Sequence, residues 1–291
     1  MQMSVEVYTV FNNYIKLMRV KHYIKNFLVF LPLIFSGKFF EEEYFITVSM
    51  GFLAFSLLSS VIYIINDLVD VEKDRKHPVK CKRPIASGVI SSRKAVILAF
   101  GLFILSIVIH FQITGGGYGV NYLFVYLIIN IFYSLELKNK PIVDVAILVT
   151  GFLLRVLYGG EILDIEVSNW LLLTVISFSF YLSLGKRRNE LNRQKSNDTR
   201  KVLDFYNNSF LDKNMYMFLA LTNVFYALWS SENPKTLMVW TVPIFMLICL
   251  KYSLDVEGDS DGDPVEVLMK DRFLLGLSFI YGIAIMSILY I

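Results

Sequence analysis

The sequence predicts an all-α, polytopic membrane protein: residues 1–291 as a single domain, a bundle of nine transmembrane helices with the N-terminus cytoplasmic and the C-terminus external. Three observations predict it. Hydrophobic residues make up 55% of the 291 residues and the mean hydropathy is +0.55, far from the balance of a soluble globular chain. Apolar runs recur at about the 20 residues a helix needs to cross roughly 30 Å of hydrocarbon. Lys and Arg, finally, gather on alternate loops.

In chain order the spans fall at residues 22–37, 44–66, 93–112, 118–136, 141–160, 169–186, 214–231, 235–252 and 272–290. The first follows a basic arm, RVKHYIKN at 19–26, and is partly interfacial. The opening MQMSVEVYTV carries an acid and lacks the basic region, long apolar core and cleavage site of a signal peptide, so the first span is expected to be retained. The second span ends on the acid-rich stretch NDLVDVEKDRKHPVKCKR at 66–83. The fifth opens at Pro141, which suits the first turn of a helix. The sixth runs into LGKRRNELNRQK, and the eighth into KYSLDVEGDSDGDP. No strand-like alternation or soluble domain interrupts the series.

Of the 28 Lys and Arg residues, all but Lys38, Arg155 and Lys235 lie in the N-terminal arm or in the loops after spans two, four, six and eight. The positive-inside rule makes that face cytoplasmic. The opposite loops carry Glu41, Glu42, Glu43, Glu161, Asp164, Glu166 and Glu232. A net charge of +3 hides this asymmetry. Cys81 and Cys249 lack metal-site spacing and read as inert thiols.

Topology explains the bases but not the acids among them. On a helix continuing out of span two, Asp67, Asp70 and Asp74 fall within roughly 60° of one another. Three carboxylates on one face repel, and they are answered either by solvent and the neighbouring Lys73 and Arg75 or by a hard divalent cation with phosphate. Asp144, Gly151 and Arg155 share a face of span five. An arginine at that depth is expensive alone, so it should turn to the bundle interior and meet an anion. Lys186 and Glu190 stand at i, i+4 spacing for a local pair, while Lys186, Arg187 and Arg188 together suit a phosphate group. The acids at 255–263 do not complete a calcium-loop pattern, and their role is open.

The block Asn66-Asp67-x-x-Asp70-x-x-x-Asp74 resembles the first aspartate-rich motif of the UbiA superfamily of intramembrane prenyltransferases. RVKHYIKN, DVEKDRKHPVKCKRPIASG, YSLELKNKPIVDV with GFLLR, SLGKRRNEL and the KYSLDVEG…KDR segment follow in the order of its decaprenyl-phosphate phosphoribosyltransferase branch. Val20 stands where that branch has proline and Tyr23 near its tryptophan, with the surrounding bases kept.

The resemblance implies a magnesium-dependent enzyme of the plasma (inner) membrane with a cytoplasm-facing cavity, serving lipid-linked pentose synthesis for the cell envelope. A 5-phosphoribosyl group would pass from phosphoribosyl diphosphate to a polyprenyl phosphate, releasing diphosphate. It implies that Asp67, Asp70 and Asp74 hold magnesium, with Asn66 orienting a ligand or water beside them. Asp144 is the second-motif acid, and completing the metal site and binding the ribose hydroxyls both stand open for it. Lys21, Lys25, Lys80, Arg83, Lys186 and Arg187 are candidates for the diphosphate or 5-phosphate, and Tyr133 and Lys138 for the substrate. Arg155 is assigned to the lipid phosphate. The bilayer is a partner, nucleic acid is not, and a homo-oligomer stands open.

The rival enzyme reading is a UbiA-type transferase moving a prenyl group from its diphosphate to an aromatic acceptor. Such enzymes carry a second D-x-x-x-D, whereas Leu148 follows Asp144 here at the fourth place. A non-catalytic lipid carrier is a further alternative, but no internal repeat supports it.

Overall fold

Hydrocarbon offers no water to bare peptide groups, so a chain this apolar has to satisfy its backbone along itself. The computed structural model describes residues 11–192, 201–258 and 263–291, and among them every regular element is a helix. A 3-10 helix Val20–Phe30 runs into Leu31–Phe35, together α1. There follow α2 (Glu42–Val69), α3 (Val71–Lys76), α4 (Ser92–Thr114), α5 (Gly119–Leu135), α6 (Val143–Leu163) and α7 (Asn169–Asn192). The remainder are α8 (Asn208–Glu232), α9 (Thr241–Glu257), α10 (Pro264–Lys270) and α11 (Arg272–Tyr290). The ranges Glu42–Val69, Ser92–Thr114, Val143–Leu163, Thr236–Glu257 and Arg272–Tyr290 are long and apolar enough to cross a membrane, and Gly119–Leu135 is a shorter apolar helix.

From residue 44 onward the expected spans overlap α2, α4, α5, α6, α7, α8, α9 and α11, the eighth opening on a 3-10 turn, Thr236–Trp240, before α9. The first differs, because Pro32 stands in the first turn of the short α-segment. Lacking an N–H, it cannot continue an α-ladder from the preceding residues. The chain there is a 3-10 run followed by five α-helical residues.

Helix α6 is the spine, packing against α1, α2, α5 and α7. Its Gly159 allows the closest approach: a Cβ there would sit 2.1 Å from the carbonyl oxygen of Val29. On one side of α6 the core holds Phe55, Leu58, Tyr126, Leu154 and Tyr158. On the other, Val145, Tyr181, Leu184, Leu203 and Tyr252 pack together. Large apolar residues of α4 (Ile97, Phe100) and α11 (Phe279, Ile280) face outward, the surface that a bilayer covers. The protein is an integral membrane protein.

Candidate active site

The acids of the 66–83 stretch are not carried on one continuous helix, as their spacing had suggested. α2 ends at Val69, where Asp70 takes φ −92 and ψ 7, and a new short helix begins at Val71. The bend leaves Asp67 and Asp74 bridged by one arginine and turns Asp70 to a different base. Asp67 Oδ1 accepts from Arg19 Nη2 at 2.5 Å and from Arg83 Nη1 at 3.0 Å. The same Arg83 Nη1 donates to Asp74 Oδ2 at 2.6 Å. Asp70 turns instead to Lys138 Nζ, which reaches both its oxygens at 2.8 and 2.7 Å. Lys138 comes from the 3-10 turn Leu137–Asn139 and is itself buried. Three buried or half-buried acids are thus answered by three bases, with Asn66 half-buried beside them.

A second network centres on Asp144, in the first turn of α6. Its Oδ2 accepts from Arg187 Nε at 2.6 Å and its Oδ1 from the hydroxyl of Tyr206 at 2.7 Å. Arg187, fully buried, also donates from Nη1 to Glu190 at 2.7 Å and from Nη2 to the Tyr133 hydroxyl at 3.4 Å. Tyr206 in turn accepts the backbone N–H of Ile142 at 2.7 Å. Ile142 has φ +69, a conformation that β-branched residues rarely adopt. The Tyr206 bond and the Asp144 network brace that strained turn.

A third group lies between the arm and α7. Asp263 Oδ2 meets Lys25 Nζ at 2.8 Å and Lys186 Nζ at 3.5 Å, while its Oδ1 caps α10 through Val265 N–H at 3.1 Å. Burial works against the Asp263 carboxylate, but the ammonium groups of Lys25 and Lys186 and the cap hold its pKa down at about 2. The expected Lys186–Glu190 pair is therefore replaced: Lys186 takes Asp263, and Glu190 takes Arg187 three residues before it. On a helix, i+3 and i+4 neighbours are alternatives of similar reach. Part of the open 255–263 acid stretch is thereby structural, since Asp255 also pairs with Lys251. Asp259 and Asp261 lie outside the described residues.

Arg155 stands apart. Its side chain leans toward the N-terminus of α6, Nη1 donating to Gly151 O at 2.5 Å. Gly151 is seven residues from Asp144, a rise of about 10 Å into the bundle. Nε donates to Asn26 Oδ1 at 2.7 Å and Nη2 to the Tyr126 hydroxyl at 2.8 Å. Asn26 is itself held by Ser56. The guanidinium also lies 5.0 Å from the Phe55 ring centroid and 4.8 Å from that of Tyr126. Among the described residues it has no carboxylate partner, and Asp144, on its own face of α6, pairs elsewhere. Lys21 and Lys80 are exposed and join none of these networks.

Sequence reasoning left Arg19, Asn26, Tyr126 and Tyr206 out of the candidate set. Arg19 and Asn26 were visible as the ends of the RVKHYIKN block. Tyr126 and Tyr206 carried no signal, because their partners lie 29 and 62 residues away.

No group of three or more His, Cys, Asp or Glu side chains converges as a metal cluster among the described residues. The donor chemistry nonetheless fits a hard divalent cation: three carboxylates with a neighbouring amide, all oxygen ligands. Two of those carboxylates already share one cationic nitrogen of Arg83.

Similarity to known proteins extends over most of the chain. The profile of the UbiA prenyltransferase family matches residues 31–277. The decaprenyl-phosphate phosphoribosyltransferase of Mycolicibacterium smegmatis is 36% identical over 278 residues, covering 89% of this chain and 87% of that protein. That of Corynebacterium glutamicum is 33% identical, covering 95% and 86%. A solved UbiA homolog from Archaeoglobus fulgidus bound to GPP and Mg2+ superposes with a TM-score of 0.71 at 20% identity, covering 94% of this chain and 99% of that one. A helical bundle whose aspartate-rich turn closes α2, matched by family profile, sequence and fold alike, belongs to the UbiA prenyltransferase family.

Proposed function

We infer that the protein transfers a 5-phosphoribosyl group from phosphoribosyl diphosphate to the phosphate of a long polyprenyl carrier, with release of diphosphate. The observation that carries this reading is similarity to two named phosphoribosyltransferases over 89–95% of the chain. The aromatic prenyltransferase reading shares the family but loses its second D-x-x-x-D. Nine spans, with the charged layer on the cytoplasmic side of the plasma membrane, complete the proposal. The asymmetry of Lys and Arg supports that orientation.

In the reaction a lipid phosphate oxygen attacks C1 of the ribose, and the C1–O bond to diphosphate breaks with its electron pair leaving on the diphosphate. The nucleophile is already ionised near neutral pH, so no general base is required. Asp67, Asp70 and Asp74 would hold magnesium, with Asn66 orienting a ligand beside them. When bound, the metal supplies charge neutralisation on the leaving group. A solved family member bound to Mg2+ supports the cofactor.

The chain's own residues position the rest. Lys25, Lys186, Arg83 and Lys138 present cations to the diphosphate and 5-phosphate, and the exposed Lys21 and Lys80 extend that field outward. Asp144 is assigned to a ribose hydroxyl rather than to the metal. Its oxygens already accept from Arg187 and Tyr206, leaving lone pairs suited to one more O–H donor. Arg187 and Tyr133 fix that carboxylate in place. Arg155 gives the lipid phosphate a positive field about 10 Å below the charged layer.

The test supplies purified protein with labelled phosphoribosyl diphosphate and a polyprenyl phosphate, with and without magnesium. Magnesium-dependent label in the lipid phase is expected. No such product, with transfer from a prenyl diphosphate to an aromatic acid instead, overturns the reading.

A further inference from the structure

Arg83 occupies an unusual position for a residue also assigned to substrate. Its Nη1 lies 3.0 Å from Asp67 and 2.6 Å from Asp74, so one nitrogen serves as the shared counter-cation of two carboxylates. The acids are deeply buried, with side chains 3% and 5% exposed, while the Arg83 side chain is 27% exposed and is carried on the loop between α3 and α4. Arg83 can therefore leave toward water, but the acids cannot follow it. Without a replacement cation Asp74 would be stranded as a buried unpaired charge and Asp67 would be left to Arg19 alone.

We propose that Arg83 is a resident counter-cation which the divalent metal displaces, so that metal and the donor's diphosphate bind as one coupled event. This rests on the metal assignment made above. Metal alone has to evict an arginine that then has no anion to meet. Metal arriving with a diphosphate meets no such obstacle, because the freed guanidinium forks onto phosphate oxygens, the geometry it matches best. Coupling of this kind is reciprocal: the metal tightens diphosphate binding by the factor by which diphosphate tightens the metal's. The same exchange follows for Asp70, whose base Lys138 is freed by the same event.

The test is a titration of the full-length protein in detergent with Mn2+, read by its paramagnetic resonance, with and without inorganic diphosphate and with free Mn2+ corrected for the solution complex. Wild type binds Mn2+ weakly alone and about tenfold or more tightly with diphosphate, the usual scale of such coupling. Arg83→Gln binds Mn2+ alone about tenfold more tightly than wild type, and diphosphate adds little further. Arg83→Lys, which keeps a cation in place, stays weak. Asp67→Asn loses binding in both arms. Wild-type affinity that is equal with and without diphosphate overturns the proposal without recourse to any variant. So does Arg83→Gln binding no tighter than wild type while Asp67→Asn abolishes binding, an outcome that leaves the metal site itself intact. Mn2+ binding indifferent to Asp67→Asn in every arm removes the metal assignment and the proposal together.

Discussion

The acids at the α2–α3 junction and the arginine midway along α6 are both charges withdrawn from water, and they are satisfied in opposite ways. Asp67, Asp70 and Asp74 are answered by Arg19, Lys138 and Arg83, with Arg83 shared between Asp67 and Asp74. Arg155 is surrounded by dipoles and ring faces, with Asn26, Gly151 and Tyr126 accepting its protons. Ion pairs can be exchanged for other ion pairs, so the first region suits the proposed trade of counter-ions with a metal and a diphosphate. A guanidinium held by neutral acceptors keeps its whole positive field, and that suits an anion which arrives and leaves. Its neutral bonds and cation–π contacts offset part of the desolvation cost.

The sharpest way to break the comparison is at Asp70. Asp70→Asn should lower turnover by about 10²–10³-fold or more, the scale for removing a charge aimed at the reacting groups, with the protein still folded in detergent. Activity within a few-fold of wild type would remove the acids from the chemistry. Next comes Asp144→Asn, which leaves Arg187 fully buried without its aspartate. A loss of up to about 3 kcal/mol is expected, at the low end for a broken buried pair because Glu190 still meets Arg187, read as a fall in unfolding midpoint. An unchanged midpoint would mean that Glu190 alone holds Arg187.

Arg155→Met separates field from packing. Removing the guanidinium relieves its desolvation cost but takes a donor from Asn26 Oδ1 and Tyr126, so the thermal midpoint should change little while lipid use falls. A large drop in midpoint would make Arg155 structural. Tyr206→Phe removes one hydrogen bond to Asp144 and the acceptor for Ile142 N–H, for about 1–2 kcal/mol. Smallest of all is the pH response of the Lys25–Asp263 tether. The folded pKa of about 2 lies below the ordinary carboxylate value. Its stabilisation is therefore fully present above that ordinary value and is lost only as pH falls from there through about 2. Protease resistance around α10 should stay flat from pH 9 to 5.

The long helices were legible because hydropathy and length alone decide them, and the orientation rests on a loop-by-loop count of bases. The motif acids were legible as a group, but the bend at Asp70 was not, since nothing local marks it and the separate partners Arg83 and Lys138 make it worthwhile. Arg155 was expected to face inward, and it does. Its neutral acceptor Asn26, from the distant arm, could not be read from the periodicity of α6. The partner of Glu190 was missed for a different reason: Lys186 and Arg187 both lie one turn away, and the choice falls to Asp263, which claims Lys186 from another helix.

The division of labour between the two regions is tested most directly by two-substrate kinetics on Arg155→Met, varying polyprenyl phosphate and phosphoribosyl diphosphate independently. The KM for the lipid should rise about tenfold or more, the worth of one charge-assisted contact, while the KM for the sugar donor stays within a factor of about two. An unchanged lipid KM, or a donor KM that rises in parallel, would contradict it.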